Sequence, residues 1–445
     1  MAKKVIVVGG GLAGLAASIF LARGGCSVTL FEKRRLLGGR AVTHLRYGYR
    51  FNLGAHAFYR NGTGASVYRE LGIPVHGGLV RARGIALIGG REETLPTGVL
   101  SLLTTSLLSP RGKAQIAAAW LRVRGRKGSL VGDITVREWL DRTFDDARTR
   151  SVMEAMLRLA TYSDRPEEAS APLALAQLRA ALRGVLYVDE GWQRIVDSLH
   201  SAAVSAGVHF VSSSRIVGIV QDGRVRAVEL GGLEIDADSM STQSIALPEE
   251  RPEEVEGALI PAENVVLAVD PLTAYELAGD VGSHWRKASP VTAACLDVAL
   301  RSLPNPKKTF ALGIDEPLYY SVHSAFAQVA PKGGALIHLA KYRKESRASN
   351  QEIDGGATGV NADERALELL LDRMQPGWRD VLVHRRFLPA MTVSNALATA
   401  HAPRPSPVTP VHGLYIAGDW VGDEGILSDA ALASARAAAK AILAS

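Results

Sequence analysis

The sequence predicts an α/β protein in which a parallel sheet is joined to a second domain of α+β type. An apolar β-like run at residues 5–8 breaks into glycines spaced G-x-G-x-x-G and then into a helical pattern, and a second β-like run follows at 27–31. Short β-like runs separated by proline and glycine return between residues 291 and 341. The 445 residues exceed the roughly 250–300 at which a single core stops growing, so we expect two domains.

The glycine motif consists of Gly9, Gly11 and Gly14. In a dinucleotide-binding finger the first glycine permits a tight turn, the second lets the backbone approach a pyrophosphate, and the third lets the helix pack closely on the sheet. Leu12 and Ala13 fall in the first helical turn, where free N–H groups favour phosphate. Glycine supplies 44 of the 445 residues, so the alternative is an ordinary βαβ unit with incidental glycines.

The residue after the second strand distinguishes between nucleotides. Glu32 stands where an acid binds the ribose 2′-hydroxyl in this class of site, and Lys33 follows it. An acid at this position disfavours a 2′-phosphate. The sequence therefore predicts a cofactor of the FAD or NAD type rather than NADP.

Two further segments favour an extended cofactor. The run Gly38-Gly39-Arg40 suits a second close approach of backbone to phosphate. Near the other end of the chain, an apolar run at 414–417 stops at Gly418-Asp419 and is followed by a predicted helix from about 428 to 443. A strand, loop and helix in this order can place an acid and a helix N-terminus against ribityl and pyrophosphate groups.

Together, the finger, Glu32, the Gly38-Gly39-Arg40 run and the Gly418-Asp419 segment resemble the FAD-containing amine oxidase and phytoene desaturase superfamily, most closely its phytoene desaturase branch. The resemblance implies FAD and a glutathione-reductase-like Rossmann domain that binds it. Residues 189–193 and 264–271 also resemble segments of that family.

The resemblance also assigns residues around the cofactor. It implies that the adenine is contacted by the strand carrying Ile216 and Val217, and the isoalloxazine by the loop 51–56 with Gly54 and Ala55. It implies that Ile426, Leu427 and Ser428 bring a helix N-terminus to the pyrimidine ring.

The chain departs from the family's pattern at three points. Residues 425–429 lack the glycine and proline run that is usual in carotenoid desaturases. Asn52 stands where relatives have an acid, so a role that needs a carboxylate there is lost. The stretch 401–445 contains no cysteine, so the covalent flavin link of some amine oxidases has no counterpart.

The positions of the β-α-β patterns predict a discontinuous domain organisation. We expect an FAD-binding domain from residues 1–70, 189–285 and 405–445. A substrate-binding domain would be formed by 71–188, which reads as mainly helical, and 286–404, which reads as a curved mixed sheet with helices.

Several local elements are predicted inside these pieces. We expect strands at 291–299, 310–314, 318–322 and 335–341, and helices at 150–161 and 362–374. A further helix is expected around 135–140, capped by Asp133. The acidic insert 231–263 lacks periodicity and is predicted to be a mobile surface loop.

Composition limits the partners of the protein. The net charge is +6, but no nucleic-acid-binding signature accompanies it, so we expect no nucleic acid partner. The basic amphipathic stretch 102–127 has two interpretations, a helix lying in the interface on the inner face of a membrane or a helical cap over a substrate cavity. Cys26 and Cys295 give neither a disulfide framework nor metal-ligand spacing, which predicts a cytoplasmic protein without a metal. The oligomeric state is not determined by the sequence.

The catalytic residues are the least determined part, because flavin accepts a hydride without a strong protein base. His56 is a candidate proton carrier or a structural histidine. Lys341 is a candidate for holding a water near the flavin, as a lysine does in amine oxidases. The other polar side chains expected near the cavity are Tyr59, Arg386, Glu424 and Asp429.

Three functional hypotheses follow. The first is an FAD-dependent oxidoreductase that removes hydride equivalents from a small apolar substrate, such as an isoprenoid or carotenoid-like polyene. The second is a flavin amine oxidase that uses oxygen. The third is a flavin-binding protein without catalytic activity.

Overall fold

A computed structural model describes residues 2–80, 84–125, 132–233, 257–344 and 358–445. The strands are β1 Lys4–Val8, β2 Ser27–Phe31, β3 Thr43–Arg46, β4 Tyr49–Asn52, β5 Phe58–Tyr59, β6 Gly77–Leu79, β7 Ile85–Ile88, β8 Arg91–Thr94, β9 Val185–Val188, β10 His209–Val211, β11 Ser214–Gln221, β12 Val225–Leu233, β13 Leu259–Pro261, β14 Asn264–Leu267, β15 Val291–Leu300, β16 Phe310–Gly313, β17 Leu318–Val322, β18 Ala335–Tyr342, β19 Leu382–Ser394 and β20 Leu414–Ile416.

The α-helices are α1 Leu12–Arg23, α2 Thr63–Glu70, α3 Val99–Thr104, α4 Pro110–Arg124, α5 Val136–Thr143, α6 Ala147–Thr161, α7 Ala171–Leu182, α8 Gln193–Ser205, α9 Pro271–Ala278, α10 Thr358–Met374 and α11 Leu427–Ala444.

A five-stranded sheet carries the glycine motif. Its order is β10-β2-β1-β14-β20, and every neighbouring pair is parallel. Four of the five residues of β1 are buried, as expected for a strand covered on both faces. Helices α1, α8 and α11 contribute Leu15, Leu199 and Leu432 to one core beside this sheet. The carboxyl ends of its strands therefore lie at one edge, where ligands bind in open α/β sheets.

A seven-stranded mixed sheet forms the second large layer, in the order β19-β15-β18-β17-β16-β7-β8. Among the described strands of this sheet, β16 and β7 pair in parallel and the other neighbours are antiparallel. Leu339 shares a core with Leu371 of α10 on one face, whereas Ala340 belongs to a different core with Met153 of α6 on the other. Successive residues of a strand point to opposite faces, so this sheet separates two cores.

The local predictions in this region are largely confirmed. The expected strands at 291–299, 310–314, 318–322 and 335–341 correspond to β15, β16, β17 and β18 within one residue at each end. The expected helices at 150–161 and 362–374 are present as α6 and α10, which begin three and four residues earlier.

The predicted cap of α5 was wrong. Thr135, not Asp133, is the N-cap: its Oγ1 accepts a hydrogen bond from the backbone N–H of Glu138 at 3.1 Å. The Glu138 carboxylate accepts from the Thr135 N–H at 2.8 Å, which completes a capping box. Threonine three residues before a glutamate was the sequence signal for this start.

The acidic insert falls mostly outside the described residues. β12 and β13 occupy its two ends, so residues 231–233 and 259–261 are strand rather than loop. Residues 234–256 are among those that the structure does not describe.

Candidate functional site

The three glycines of the finger have three different surroundings. Gly9 has φ +107°, and a Cβ there would lie 2.6 Å from the Ala268 carbonyl oxygen. A Cβ on Gly14 would lie 1.9 Å from the Gly9 carbonyl oxygen, because α1 packs tightly on the turn. At Gly11 a Cβ would meet no atom within 4 Å. The finger thus leaves open space where a pyrophosphate would approach the backbone, beside Leu12 and Ala13 at the start of α1.

Glu32 and the pair Gly38-Gly39 both lie against this finger. Glu32 Oε2 accepts a hydrogen bond from the Gly10 N–H at 2.6 Å, while Lys33 is exposed. The Gly38 N–H donates to the Gly10 carbonyl at 2.8 Å, and a Cβ on Gly39 would lie 3.6 Å from the Gly11 Cα. The pair therefore lies beside the finger rather than elsewhere on the sheet.

Asp419 connects segments that are far apart in the sequence. Its side chain is 3% exposed and accepts hydrogen bonds from Arg40 Nη2 at 2.8 Å and from Asn395 N and Nδ2 at 3.0 Å each. The neighbouring Gly418 N–H donates to Ser434 Oγ of α11 at 2.9 Å. The two ends of the chain thus meet at one place, as the sequence predicted.

The start of α11 carries an unusual backbone conformation. Leu427 has φ +57°, a region that non-glycine residues seldom adopt and that is enriched at functional sites. Ile426 precedes it and is buried, and Ser428 follows in the first turn. The strained residue turns the chain into the helix whose N-terminus was predicted to face the flavin.

Asp429, in the same helical turn, performs a structural task. Its carboxylate accepts a hydrogen bond from the Gly64 N–H at 3.0 Å, at the start of α2. A Cβ on Gly62 or Gly64 would lie within 2.5 Å of this carboxylate, so both positions need glycine. Burial raises the pKa of Asp429 to about 6, while the backbone hydrogen bonds oppose that shift.

The loop 52–56 lies against the mixed sheet. Gly54 has φ +78°, and a Cβ there would lie 2.3 Å from Met391 Sδ, so only glycine fits; Ala55 beside it is buried. His56 Nδ1 lies 3.1 Å from the Gly54 carbonyl oxygen, and its ring packs edge-on against Trp192 at 5.2 Å. Burial lowers the pKa of His56 to about 4, so the imidazole is neutral at pH 7.

The side chain of Asn52, at the position where the resemblance implies an acid, has a structural role. Its Oδ1 accepts hydrogen bonds from Thr43 Oγ1 at 2.6 Å and from the Trp192 N–H at 3.0 Å. The side chain is 4% exposed and joins β4 to the start of α8. The amide oxygen accepts both hydrogen bonds without placing a charge in the core.

The strand with Ile216 and Val217 begins beside Glu32. The Ser214 N–H donates to the Glu32 carbonyl at 3.1 Å, which fixes β11 at the end of β2. Ile216 is buried, whereas the side chain of Val217 is 44% exposed. Both predicted adenine-contacting residues thus lie on a strand that begins beside Glu32, the predicted ribose-binding acid.

Lys341 is not brought to the 52–56 loop. It alternates along β18 with Leu339, on the face that α10 covers, and its Nζ pairs with Asp363 at 2.7 Å. Ala340 and Tyr342 are the neighbours that point to the other face. This placement gives Lys341 an ion pair on the far side of the sheet in place of the predicted contact with water near the flavin.

The remaining polar candidates are engaged in structural contacts. Tyr59 Oη donates to the Ala160 carbonyl at 3.1 Å. Glu424 is exposed and accepts from Thr63 Oγ1 at 3.0 Å. Arg386 donates to the Asn52 carbonyl oxygen and to Asp297.

That last contact belongs to a buried polar row that the sequence reasoning missed. Arg386, Asp297, His338 and Ser321 lie in register on β19, β15, β18 and β17. His338 Nδ1 is 2.6 Å from Asp297 Oδ1, and both side chains are at most 1% exposed. Burial alone would raise the pKa of Asp297, but His338 and Arg386 outweigh it and hold this pKa below its usual value.

Hydroxyl groups extend the row. Tyr187 Oη lies 2.9 Å from Ser321 Oγ and 3.0 Å from Tyr319 Oη. The ring of His323 stacks on Tyr187 at 3.7 Å and meets the His338 ring edge-on at 4.3 Å. Polar residues inside the apolar runs of β15 and β18 were the sequence signal for this network.

A small cleft lies between α6, α7, the end of β19 and the start of α11. Its lining contains no charged side chain among the described residues. The lining residues are Thr161, Ala169, Ser170, Leu173, Ala174, Val291, Ser394, Ala396, Leu397, Ala398, Ile426 and Leu427.

Comparisons with known proteins agree with this arrangement. The sequence profile of the NAD(P)-binding Rossmann-like domain matches residues 7–71. A putative flavin-containing monoamine oxidase, AofH of Mycobacterium tuberculosis, is 27% identical over 297 residues, which span 63% of this chain and 62% of that protein. The 4,4'-diaponeurosporene oxygenase of Staphylococcus aureus is 44% identical over 54 residues, 12% of this chain and 11% of that protein.

Among solved structures, an oxidoreductase from Methanosarcina mazei superposes with a TM-score of 0.73 at 16% identity and covers all of both chains. At this identity the match shows a common fold. The two sequence matches are to members of the amine oxidase and phytoene desaturase group that the sequence resembles.

Proposed function

We infer that this chain is an FAD-dependent oxidoreductase of the amine oxidase and phytoene desaturase superfamily. The observation that carries the inference is the meeting of both chain ends at Asp419 and Arg40, next to the open space at Gly11. When bound, FAD supplies the group that accepts a hydride.

The residues of the chain bind and orient the cofactor. The backbone at Gly11 and the start of α1 supply N–H groups for the pyrophosphate, and Glu32 supplies the acceptor for a ribose hydroxyl. Hydrogen bonds from Arg40 and Asn395 orient the Asp419 carboxylate. The N-terminus of α11, aimed by the strained Leu427, contributes a partial positive charge.

The finer assignment of the fold belongs to the same proposal. We assign the nucleotide-binding part to the glutathione-reductase-like class and to residues 1–70, 189–285 and 405–445, with the substrate-binding part at 71–188 and 286–404. The parallel order β10-β2-β1-β14-β20 and the three-stranded β11-β12-β13 sheet support this division. A cytoplasmic location is supported by Cys26 and Cys295, which are both free thiols.

The substrate class we propose is a small apolar molecule, such as an isoprenoid or carotenoid-like polyene. The support is the cleft at Leu427, whose lining offers aliphatic side chains and no charge. The local likeness to diaponeurosporene oxygenase points in the same direction.

His56 is assigned a hydrogen-bonding role rather than that of a strong base. A pKa of about 4 leaves it neutral at pH 7 but makes it a weak proton acceptor. Its packing on Trp192 and its contact with the Gly54 carbonyl position the loop next to the proposed flavin. Lys341 is given no role at the reacting atoms.

The second candidate is a flavin amine oxidase, which the match to the mycobacterial monoamine oxidase favours. Anaerobic titration of the yellow holoprotein separates the two candidates. Bleaching of the flavin absorbance by a polyene, with no bleaching across a panel of amines, is the expected result. Bleaching by amines with peroxide release in air would assign the second function. Bound flavin that no substrate reduces would favour a non-catalytic flavin-binding protein.

A further inference from the structure

Helix α3 leaves three large aliphatic side chains in water. Val99, Leu100 and Leu103 are 66%, 76% and 65% exposed, whereas Leu102 is 5% exposed and fixes the helix to the core. Single exposed leucines are common on protein surfaces, but three within five residues form an apolar patch that usually marks an interaction site.

The next helix begins against α3 and carries exposed positive charge further along. Lys113 Nζ of α4 donates to the Leu103 carbonyl at 2.7 Å, so the start of α4 lies against the end of α3. Further along, Leu121 is 72% exposed, and Arg122 and Arg124 are exposed beside it. We call the exposed residues of α3 together with Leu121, Arg122 and Arg124 the α3–α4 surface.

The inner side of α4 packs on the helices that line the cleft. Ile116, Trp120 and Val123 are buried in the same core as Leu175 of α7. Arg179 Nε of α7 donates to the Val123 carbonyl at 2.6 Å. The α3–α4 surface is therefore the outer side of a helical layer whose inner elements line the cleft.

We propose that the α3–α4 surface docks on an anionic phospholipid bilayer. Aliphatic side chains beside arginines match the two layers of a membrane interface, since the former enter the acyl region and the latter reach the phosphates. A second copy of this chain is a poorer occupant, because pairing the same surface would bring like charges together. Among the described residues, no helix is long and apolar enough to cross a membrane, so the contact lies at the surface.

The consequence for the reaction rests on the proposed function. Docking places the outer side of α4 at the lipid, and the inner side of α4 packs on α7, which lines the cleft, so the cleft lies on the side of the protein that faces apolar molecules dissolved in the bilayer. Binding to lipid itself depends only on exposure and charge, and it is measurable whether or not the protein reduces any substrate.

Co-sedimentation of the full-length holoprotein with vesicles tests the proposal. Vesicles of phosphatidylcholine containing a third phosphatidylglycerol should bind the protein, and pure phosphatidylcholine should bind it more weakly. Replacing both Leu100 and Leu103 by serine should weaken binding about tenfold or more, because less apolar area enters the interface. Leu369→Ser is the matched control, since Leu369 of α10 is 63% exposed but far from arginine-bearing α4 in sequence.

The charges are tested separately. Arg122→Gln with Arg124→Gln should reduce binding to the anionic vesicles about tenfold or more, at roughly 1 kcal/mol for each cation, and should leave binding to neutral vesicles unchanged. The proposal is overturned if the wild-type protein does not bind anionic vesicles. It is also overturned if the variant with serine at positions 100 and 103 binds them as tightly as the Leu369→Ser variant does. A dimer in lipid-free solution that the α3 variants abolish would assign the surface to a second copy and overturn it too. Flavin absorbance of the same samples reports the cofactor claim independently.

Discussion

Substituting Gly11 by valine tests the cofactor site without disturbing the fold. A Cβ at this position meets no atom within 4 Å, and the backbone, at φ −76° and ψ −176°, suits any L-residue. The cost to the apoprotein should therefore be at most about 1 kcal/mol. A side chain there fills the space for the pyrophosphate and excludes its backbone hydrogen bonds, worth roughly 1.5–3 kcal/mol each for a charged acceptor. Losing two of them weakens FAD binding about 10²- to 10⁴-fold.

The assay measures FAD affinity by quenching of flavin fluorescence and apoprotein stability by thermal unfolding. Gly132→Val is the matched control, because a Cβ at Gly132 also meets nothing within 4 Å and lies away from the finger. Gly14→Ala should instead unfold the protein, since its Cβ would lie 1.9 Å from a carbonyl oxygen. If Gly11→Val binds FAD as tightly as the wild type does, the finger does not hold the pyrophosphate. If the apoprotein of this variant loses much of its stability, a side chain at position 11 does not fit without clashes.

Three other predictions concern residues around the site. Asp297→Ala should lower the free energy of unfolding by roughly 3–5 kcal/mol in urea, because it leaves Arg386 and a buried histidine without their partner; a change within about 0.5 kcal/mol would show that the row is not structural. The raised pKa of Asp429, about 6 against an ordinary 3.8, makes the native state bind more protons than the unfolded state between these values. Its contribution to stability is therefore present below pH 4 and lost as the pH rises through 6, and Asp429→Asn should remove this slope from unfolding curves measured at pH 4.5 and 7; an unchanged slope would contradict the assignment. Lys341→Met should retain flavin and lose about 1 kcal/mol or less, because its partner is a partly exposed carboxylate; loss of the yellow colour would place this lysine at the cofactor.

Much of the nucleotide-binding part was predictable because its signals are local. The spacing of Gly9, Gly11 and Gly14 and the position of Glu32 after β2 can both be read from short stretches of sequence. The sequence predicted that Gly38 and Asp419 would serve the same cofactor as the finger, but it did not predict that Gly38 bonds to the finger or that Asp419 pairs with Arg40. Spacing alone does not show that residues 379 positions apart will touch.

The polar row across the mixed sheet was not predictable in the same way. A sequence shows that Asp297 and His338 interrupt apolar strands, but it does not show strand order or register, and these place the two side chains 2.6 Å apart. The same limit explains why the side chain of Lys341 does not lie where the sequence predicted it. Its position within β18 was correct, but the face to which it points depends on which neighbours cover each side of the sheet.

The central claim is that both ends of the chain enclose one molecule of FAD. Mass spectrometry of the ligand released from the purified yellow protein, with its absorbance spectrum, tests this claim most directly. The account predicts FAD at about one molecule per chain, lost in Gly11→Val and retained in Gly132→Val. Protein that stays colourless and does not take up FAD when the cofactor is supplied in excess would contradict it.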